Sequence, residues 1–138
     1  MDNMTMQMMQ KHTKEMPMMG MGMDMMMMQE CIEACSAAEQ ATTMCADSMM
    51  GDDMMMCRSM CMNAADMGNT MMRMMMRPAG MHMESMMAMM SATMMMMNAC
   101  ADECVKMADM SEEAKMCAEV CRQCAMSCKK MMDAMSMA

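Results

Sequence analysis

The stretch that decides the fold is CAEVCRQCAMSC, from Cys117 to Cys128, which carries four cysteines at successive offsets of four, three and four. Residues three and four apart lie on one face of an α-helix, so Cys117, Cys121, Cys124 and Cys128 form a single stripe. A stripe of thiols on a helix whose other positions are largely polar is expected to face a protein core. The stretch therefore predicts an amphipathic helix with a sulfur-lined buried face.

Three further segments repeat this spacing and are separated by residues that end or begin helices. Gly51 follows the first segment, Pro78 follows the second, and Ser111 opens the last. Glycine suits a helix C-terminus, proline cannot continue a helix, and serine or aspartate caps a helix N-terminus. These signals predict helices at about 24–50, 53–77, 82–108 and 111–136.

Four helices of about 25 residues with short connections predict an all-α fold, an antiparallel up-and-down four-helix bundle spanning residues 24–138. Arg73 and Arg77 are expected in the last turns of the second helix, where cations suit the helix dipole. The candidate N-caps are Asp24, Asp52 or Asp53, and Asp109 or Ser111. Residues 1–23, Met-rich and interrupted by Pro17, are predicted to form an N-terminal segment that is flexible or a short helix.

Sulfur replaces the usual core residues throughout the chain. The 138 residues include 46 Met and 11 Cys, with no Phe, Tyr or Trp and no Leu, whereas Ile32, Val105 and Val120 are present. The unbranched, flexible Met side chain can take the place of large core residues such as Leu, which are the residues missing here. Two origins fit this composition: wholesale engineering of a natural sequence, or natural enrichment in thioether.

Charge and hydropathy exclude several classes of partner. The net charge of −8 repels phosphate backbones, so nucleic acid is not an expected partner. The Met runs are interrupted well before the roughly 18 residues that a membrane span needs, so no membrane segment is predicted. The N-terminus lacks a secretory signal with a small-residue cleavage site, which favours a cytoplasmic location; a periplasmic one stays open if a signal was removed.

Several explanations of the cysteines fail or fit poorly. Cys121 and Cys124 are followed by Ala125 rather than by the histidine of a haem-attachment motif, and neither His12 nor His82 has the preceding glutamate of a di-iron bundle. Thiols one helical turn apart are too distant for a disulfide, although disulfides between helices stay open. Zinc and iron–sulfur clusters, which need about four thiolates at each centre, also stay open.

Monovalent copper fits the pattern best. Cu(I) prefers thiolate and thioether ligands. Two metal–sulfur bonds of about 2.3 Å span the gap between cysteines one turn apart. Each thiol that exchanges its proton for Cu(I) leaves the site neutral, so a buried core can fill without accumulating charge. The sequence therefore predicts that the protein binds multiple Cu(I) ions.

The candidate ligands comprise every cysteine together with the methionines that share the inward stripes. The thiols are Cys31, Cys35, Cys45, Cys57, Cys61, Cys100, Cys104, Cys117, Cys121, Cys124 and Cys128. The thioethers are Met28, Met71, Met75, Met86, Met90, Met97 and Met131. A rise of about 1.5 Å per residue separates the thiols into two zones along the axis. The lower zone contains Cys31, Cys35, Cys124 and Cys128, and the upper zone contains the other seven.

Five motifs in this order resemble those of the bacterial copper storage proteins, which are Cys-rich four-helix bundles. They are ECIEAC at 30–35, CRSMC at 57–61, RPAG at 77–80, ACADEC at 99–104 and CAEVCRQC at 117–124. The resemblance implies Cu(I) storage in the cytosol or periplasm by a homo-oligomer, a tetramer. The family pattern carries further cysteines where this chain has Ala38 and Thr42, and family members lack this abundance of Met.

The sequence thus predicts Cu(I) storage or sequestration by thiolates that line the bundle core, with thioethers extending or feeding the sites and with no enzymatic step. Copper ions are the predicted partner. Two alternatives remain at this point: an oxidant sink based on methionine oxidation, and a designed bundle with a Leu-free core.

Overall fold

A computed structural model describes residues 3–13 and 25–136 of the chain. It contains five α-helices in these ranges: α1 at Asn3–Thr13, α2 at Met25–Ser48, α3 at Met55–Met75, α4 at Met83–Lys106 and α5 at Glu112–Ser136. In the ring formed by the four long helices, α2 packs against α3 and α5, and α4 packs against α3 and α5. This arrangement confirms the predicted antiparallel up-and-down four-helix bundle. The predicted division at residue 23 and the predicted cap at Asp24 lie outside the described residues.

The turn between α2 and α3 differs from its prediction. Gly51 has φ 136°, a conformation that glycine adopts without strain, and residues Asp52–Met54 form a 3₁₀ turn. Met54 occupies the N-cap of α3 and makes no side-chain capping bond. The prediction that Asp52 or Asp53 caps this helix was wrong, because both aspartates lie inside the 3₁₀ turn that precedes it.

The end of α3 and the start of α5 depend on local backbone chemistry. Helix α3 ends at Met75, so Arg73 lies in its last turn as predicted, whereas Arg77 lies beyond the helix and its predicted placement was wrong. Arg77 has φ −120° and ψ 62° because the ring of the following Pro78 disfavours the helical conformation at the preceding residue. At the start of α5, Ser111 provides the predicted cap: the backbone N–H of Ala114 donates to its Oγ at 3.1 Å.

His82 caps α4, a role that the sequence did not suggest. The backbone N–H of Ser85 donates to Nδ1 of His82 at 3.3 Å, and the Ser85 hydroxyl lies 2.7 Å from the same nitrogen. Since Nδ1 accepts the backbone bond, the neutral ring carries its proton on Nε2. The nitrogen lone pair of His82 is therefore occupied by the helix end.

The core consists of the predicted inward stripes. All eleven cysteines are buried, with at most 1% of their surface exposed. The seven stripe methionines are also buried, with at most 3% of their surface exposed. The buried polar side chains among the described residues are Gln29, Thr42 and Thr93. None of the Asp, Glu, Lys or Arg side chains described at 25–136 is buried.

Gly68 brings α2 and α3 into close contact. A Cβ placed on this residue would lie 3.1 Å from the carbonyl oxygen of Cys35 and 3.2 Å from Cε of Met97. Both distances are shorter than ordinary carbon contacts, so a side chain there would push the helices apart. The glycine therefore lets the α2 backbone approach α3 and leaves room for the Met97 side chain.

The ion pairs described in this structure lie at the surface, for example Arg122 with Asp102 at 3.1 Å and Lys130 with Glu30 at 3.4 Å. Exposed pairs of this kind contribute little to stability. Among the helices at residues 3–13 and 25–136, none is both long and apolar enough to cross a membrane.

Candidate metal centre

Seven thiols from all four long helices meet in the half of the bundle near the Gly51 turn, and we refer to them as the large thiol cluster. Its members are Cys45, Cys57, Cys61, Cys100, Cys104, Cys117 and Cys121. The Sγ atom of Cys104 lies 3.7 Å from those of both Cys57 and Cys61, and Cys61 Sγ lies 3.7 Å from that of Cys100. The thiols thus form a connected network rather than isolated pairs.

Within the large thiol cluster, Cys45, Cys61, Cys104 and Cys117 supply one thiol from each helix of the bundle. Their four sulfur atoms all lie within 4.8 Å of one another. The sulfur atoms of Cys100, Cys117 and Cys121 form a second group with the same property. Cys117 belongs to both groups, so metal ions bound at the two groups would share the Cys117 sulfur.

The small thiol cluster contains Cys31 and Cys35 from α2 and Cys124 and Cys128 from α5. The Sγ atoms of Cys31 and Cys128 are 3.9 Å apart, and those of Cys35 and Cys124 are 3.7 Å apart. The sulfurs of Cys31, Cys35 and Cys128 all lie within 4.8 Å of one another. The structure therefore groups the eleven thiols as the axial rise predicted.

Side chains without thiols separate the two clusters along α2. Ala38 and Thr42, both fully buried, occupy the inward positions between Cys35 and Cys45. The Thr42 hydroxyl donates to the carbonyl oxygen of Ala38 at 2.6 Å and lies 3.2 Å from that of Glu39. The hydrogen bonds described for Thr42 thus go to the helix backbone and not to either set of thiols.

The predicted methionine ligands are also buried, mainly toward the Pro78 end of the bundle. Each has at most 3% of its surface exposed; they are Met28, Met71, Met75, Met86, Met90, Met97 and Met131. Burial agrees with a ligand role and equally with core packing, because Met fills irregular apolar space. The thioethers are therefore buried as expected of inward stripe positions, and their role as ligands stays a prediction.

Hydrogen bonds between thiols determine which sulfur in the small thiol cluster ionises first. Hydrogen bonding with Cys124, Cys31 and Cys35 lowers the pKa of Cys128 far below that of an ordinary thiol. The interaction with Cys128 raises the pKa of Cys124 and of Cys31, so these two thiols lose their protons less readily. Hydrogen bonding within the small thiol cluster therefore makes Cys128 the thiol that loses its proton most readily.

The large thiol cluster contains the same division of roles. Hydrogen bonding with Cys100 and Cys117 lowers the pKa of Cys121 to about 5. Bonds involving Cys104 and Cys117 likewise lower the pKa of Cys100 to about 5. By contrast, the bonds that Cys117 makes with Cys100 and Cys104 raise its own pKa well above the ordinary range. Burial raises the pKa of Cys57 to about 12.

The sulfur spacing suits metal–thiolate bonding. Three sulfurs around a metal at about 2.3 Å lie roughly 4.0 Å from one another, close to the 3.7–3.9 Å between neighbouring thiols here. A disulfide bond is about 2.05 Å long, and all eleven cysteines are free thiols in this structure. The four-thiol group would also accommodate a tetrahedral zinc ion by its distances alone.

Charge distinguishes monovalent from divalent metal in this site. No cationic side chain among the described residues is buried near the thiols. A divalent ion held by four thiolates would leave two negative charges in the core without a counter-ion, which is strongly unfavourable. One monovalent ion for each thiolate leaves the core neutral. The electrostatics therefore favour Cu(I) over zinc.

Comparison with solved structures gives close similarity in fold. Streptomyces lividans Ccsp, a copper storage protein loaded with 10 copper equivalents, has a TM-score of 0.78 and is 31% identical over 80% of this chain and 87% of its own. The cytosolic copper storage protein from Streptomyces lividans with five coppers has a TM-score of 0.75 and 32% identity, over 78% and 92% of the two chains. A Ccsp variant with two histidines replaced by alanine gives 0.79 and 32%, over 82% and 98%.

The sequence comparison extends over most of the chain. No curated protein sequence is significantly similar to it. The sequence profile described as copper storage protein nevertheless matches residues 22–133, the whole of the four long helices apart from the last residues of α5. A match of that length, together with the shared bundle, means that this chain belongs to the copper storage protein family.

Proposed function

We propose that the protein stores Cu(I) in the two thiol clusters and performs no catalytic step. The observation that carries the proposal is the set of eleven buried, free thiols whose sulfurs lie at metal–thiolate spacing in a core without a cation. Thiolate is the preferred protein ligand of Cu(I). The copper-loaded Streptomyces lividans structures, which share this bundle, support the same conclusion.

Loading is expected to begin at the thiols that lose their protons most readily. The pKa is lowered for Cys128 in the small thiol cluster and for Cys100, Cys104 and Cys121 in the large one, so Cu(I) displaces a proton there at the least cost. The remaining thiols lose their protons as the next ions bind. Because each Cu(I) takes the place of one proton, every step leaves the charge of the core unchanged.

The cellular setting follows from the relatives. We propose that the protein stores copper in the cytosol, as the Streptomyces lividans protein is described to do, and that it assembles as a homo-oligomer, a tetramer by family resemblance. Copper ions are its partner, and neither nucleic acid nor membrane is required. Neither the oxidant sink nor the designed structural bundle receives support from the comparisons, and neither would need thiols grouped in clusters.

The proposal is tested by anaerobic titration of the reduced protein with Cu(I) in the presence of a coloured competing chelator. About ten ions should be withheld from the chelator, since each of the 11 cysteines contributes one thiolate. A parallel titration with Zn²⁺ serves as the control and should end at far fewer ions, because divalent charge is not balanced one for one. Uptake of only one or two Cu(I) ions would refute storage.

The buried thioethers are proposed as a second, weaker class of site. A thioether carries no proton, so its affinity for Cu(I) should change little with pH, whereas thiolate binding weakens as pH falls and protons compete. A neutral ligand leaves the charge of each bound ion uncompensated, which limits how many such sites fill together. These sites therefore extend the capacity only modestly at neutral pH and gain relative importance in acid.

Replacing five buried thioethers with leucine tests this second class. The exchange conserves volume and should cost under about 1.5 kcal/mol at each position, so the fold is expected to survive. The positions are Met71, Met75, Met86, Met90 and Met131. At pH 7 the variant should bind less copper than the parent only by the weakly held ions beyond one per cysteine. At pH 5 the difference between the two proteins should be a larger share of the parent's capacity. Equal capacity and release rate at both pH values would mean that these methionines only pack.

A further inference from the structure

Helix α1 lies outside the ring of four long helices and contributes to a surface cavity. This cavity, of about 250 Å³, is lined by Thr5, Met8, Met9 and His12 from α1 and by Met76, which follows α3. Thr5 also borders the neighbouring groove along α2 and α3. The short helix therefore rests against the outer wall of the bundle near its Met-rich end.

The residues of α1 divide into an anchor and exposed donors. Met9 has only 6% of its surface exposed and fixes the helix to the bundle. Met8 is 66% exposed and Met76 is 40% exposed, and His12 is also exposed. Met8 and His12 are four residues apart, so they project from one face of α1. Two thioethers and one imidazole thus border the same solvent-accessible cavity.

We propose that Met8, His12 and Met76 form a surface capture site for Cu(I), separate from the buried thiols. The inference rests on the proposed storage function and adds an entry step to it. Thioether sulfur and imidazole nitrogen are both good ligands for copper. All three donors are neutral when they bind, so the complex keeps a positive charge that water solvates at the surface. Such a site holds the ion less tightly than a thiolate and releases it readily.

The position of the capture site suits transfer into the core. Met76 follows Met75 in sequence, and Met75 is fully buried on the axial side of α3. The donors therefore change from exposed thioether and imidazole to buried thioether and then to thiolate, in order of increasing affinity for Cu(I). The net charge of −8 also raises the local concentration of cations around the protein.

The second histidine provides a matched comparison. His82 also lies at the Met-rich end and borders a cavity with Met74 and Met86. Its Nδ1, however, accepts the backbone N–H of Ser85, so binding copper through that nitrogen would uncap α4. Within residues 3–13 and 25–136, no described hydrogen bond engages the His12 ring in this way. The structure therefore assigns capture to His12 and capping to His82.

Copper transfer from a Cu(I)–chelator complex to the reduced apoprotein tests the inference. His12→Ala and Met8→Leu should each slow the initial rate of copper transfer roughly tenfold or more. Removing a group that only orients a metal ligand already costs about tenfold, and removing the ligand itself should cost at least as much. The final capacity should not change, because no thiol is altered. Alanine and leucine both favour the helical state, so α1 should be retained. With the thiols already filled, one further Cu(I) should shift the ring proton resonances of His12.

Two control variants separate capture from general effects. Met4→Leu alters an exposed methionine of α1 that does not line the cavity, and His82→Asn keeps an N-cap acceptor while it removes the other imidazole. Both should transfer copper at the parent rate. A parent-like rate for His12→Ala, with no shift of the His12 resonances in the parent, overturns the capture site while leaving storage intact. A parent protein that takes up only one or two Cu(I) ions contradicts the storage proposal instead.

Discussion

Replacing Cys61, Cys104 and Cys117 with alanine should remove about five Cu(I) ions from a store of about ten, more than one ion for each thiol lost. These three residues connect the large thiol cluster. Cys57 contacts Cys104, and Cys45 is grouped with all three, so both would lose their partners. A thiol without a second sulfur nearby binds Cu(I) too weakly to compete with a chelator. Capacity is measured by the same anaerobic titration as for the parent.

The matched control removes three thiols from the edges of the clusters. In Cys31→Ala, Cys57→Ala and Cys121→Ala combined, the remaining thiols keep close partners, such as Cys35 with Cys124 at 3.7 Å. This variant should lose about three ions, one for each cysteine. Circular dichroism should show unchanged helix content in both variants. Equal losses in the two variants would mean that each cysteine binds copper independently.

Loading with Cu(I) should raise the thermal midpoint of the protein by roughly 20–30 °C. A ligand present at 1,000 times its dissociation constant stabilises the folded state by about 4.1 kcal/mol for each site. Two such sites contribute about 8 kcal/mol, and a domain of this size gains roughly 3–4 °C for each kcal/mol. The four-thiol group joins all four long helices, so its ligands come together only in the folded bundle.

The stabilisation should depend on the thiols and not on the methionines. The variant in which alanine replaces Cys61, Cys104 and Cys117 should keep only the rise in thermal midpoint that comes from the small thiol cluster. The variant with five leucines should show nearly the full shift at pH 7. Anaerobic calorimetry of the apo and loaded forms provides the comparison, and a shift under about 5 °C in the parent would show that copper does not bridge the helices.

The bundle and its thiol clusters could be predicted because they depend on regular geometry. The offsets of three and four that place Cys117, Cys121, Cys124 and Cys128 on one helix face recur in every long helix, and each stripe must be buried. The fixed rise of a helix then determines which thiols lie at the same height. Cys35 and Cys124 are 89 residues apart in sequence, yet their contact follows from these two quantities.

The features that the sequence did not reveal depend on local competition between hydrogen bonds. Asp52 and Asp53 were equally plausible caps, but the 3₁₀ turn places both inside the helical path. The capping role of His82 has no characteristic spacing, because histidine is not among the usual capping residues. The packing of α1 against the bundle could not be predicted from the sequence either. Methionine occurs on several of its faces, so nothing in the pattern distinguishes the buried Met9 from the exposed Met8.

The separation of the thiols by Ala38 and Thr42 has a consequence for the free copper concentration in the cell. A reservoir with one kind of site holds the free ion near a single level while it fills, in the way that one weak acid buffers near one pH. No group of mutually close sulfurs among the described residues combines thiols of both clusters, so the clusters of four and seven thiols are expected to fill and empty separately. Such a protein would buffer free Cu(I) at two successive concentrations. The weaker cluster would release its copper first, and the tighter cluster would release its copper only when the free concentration falls further.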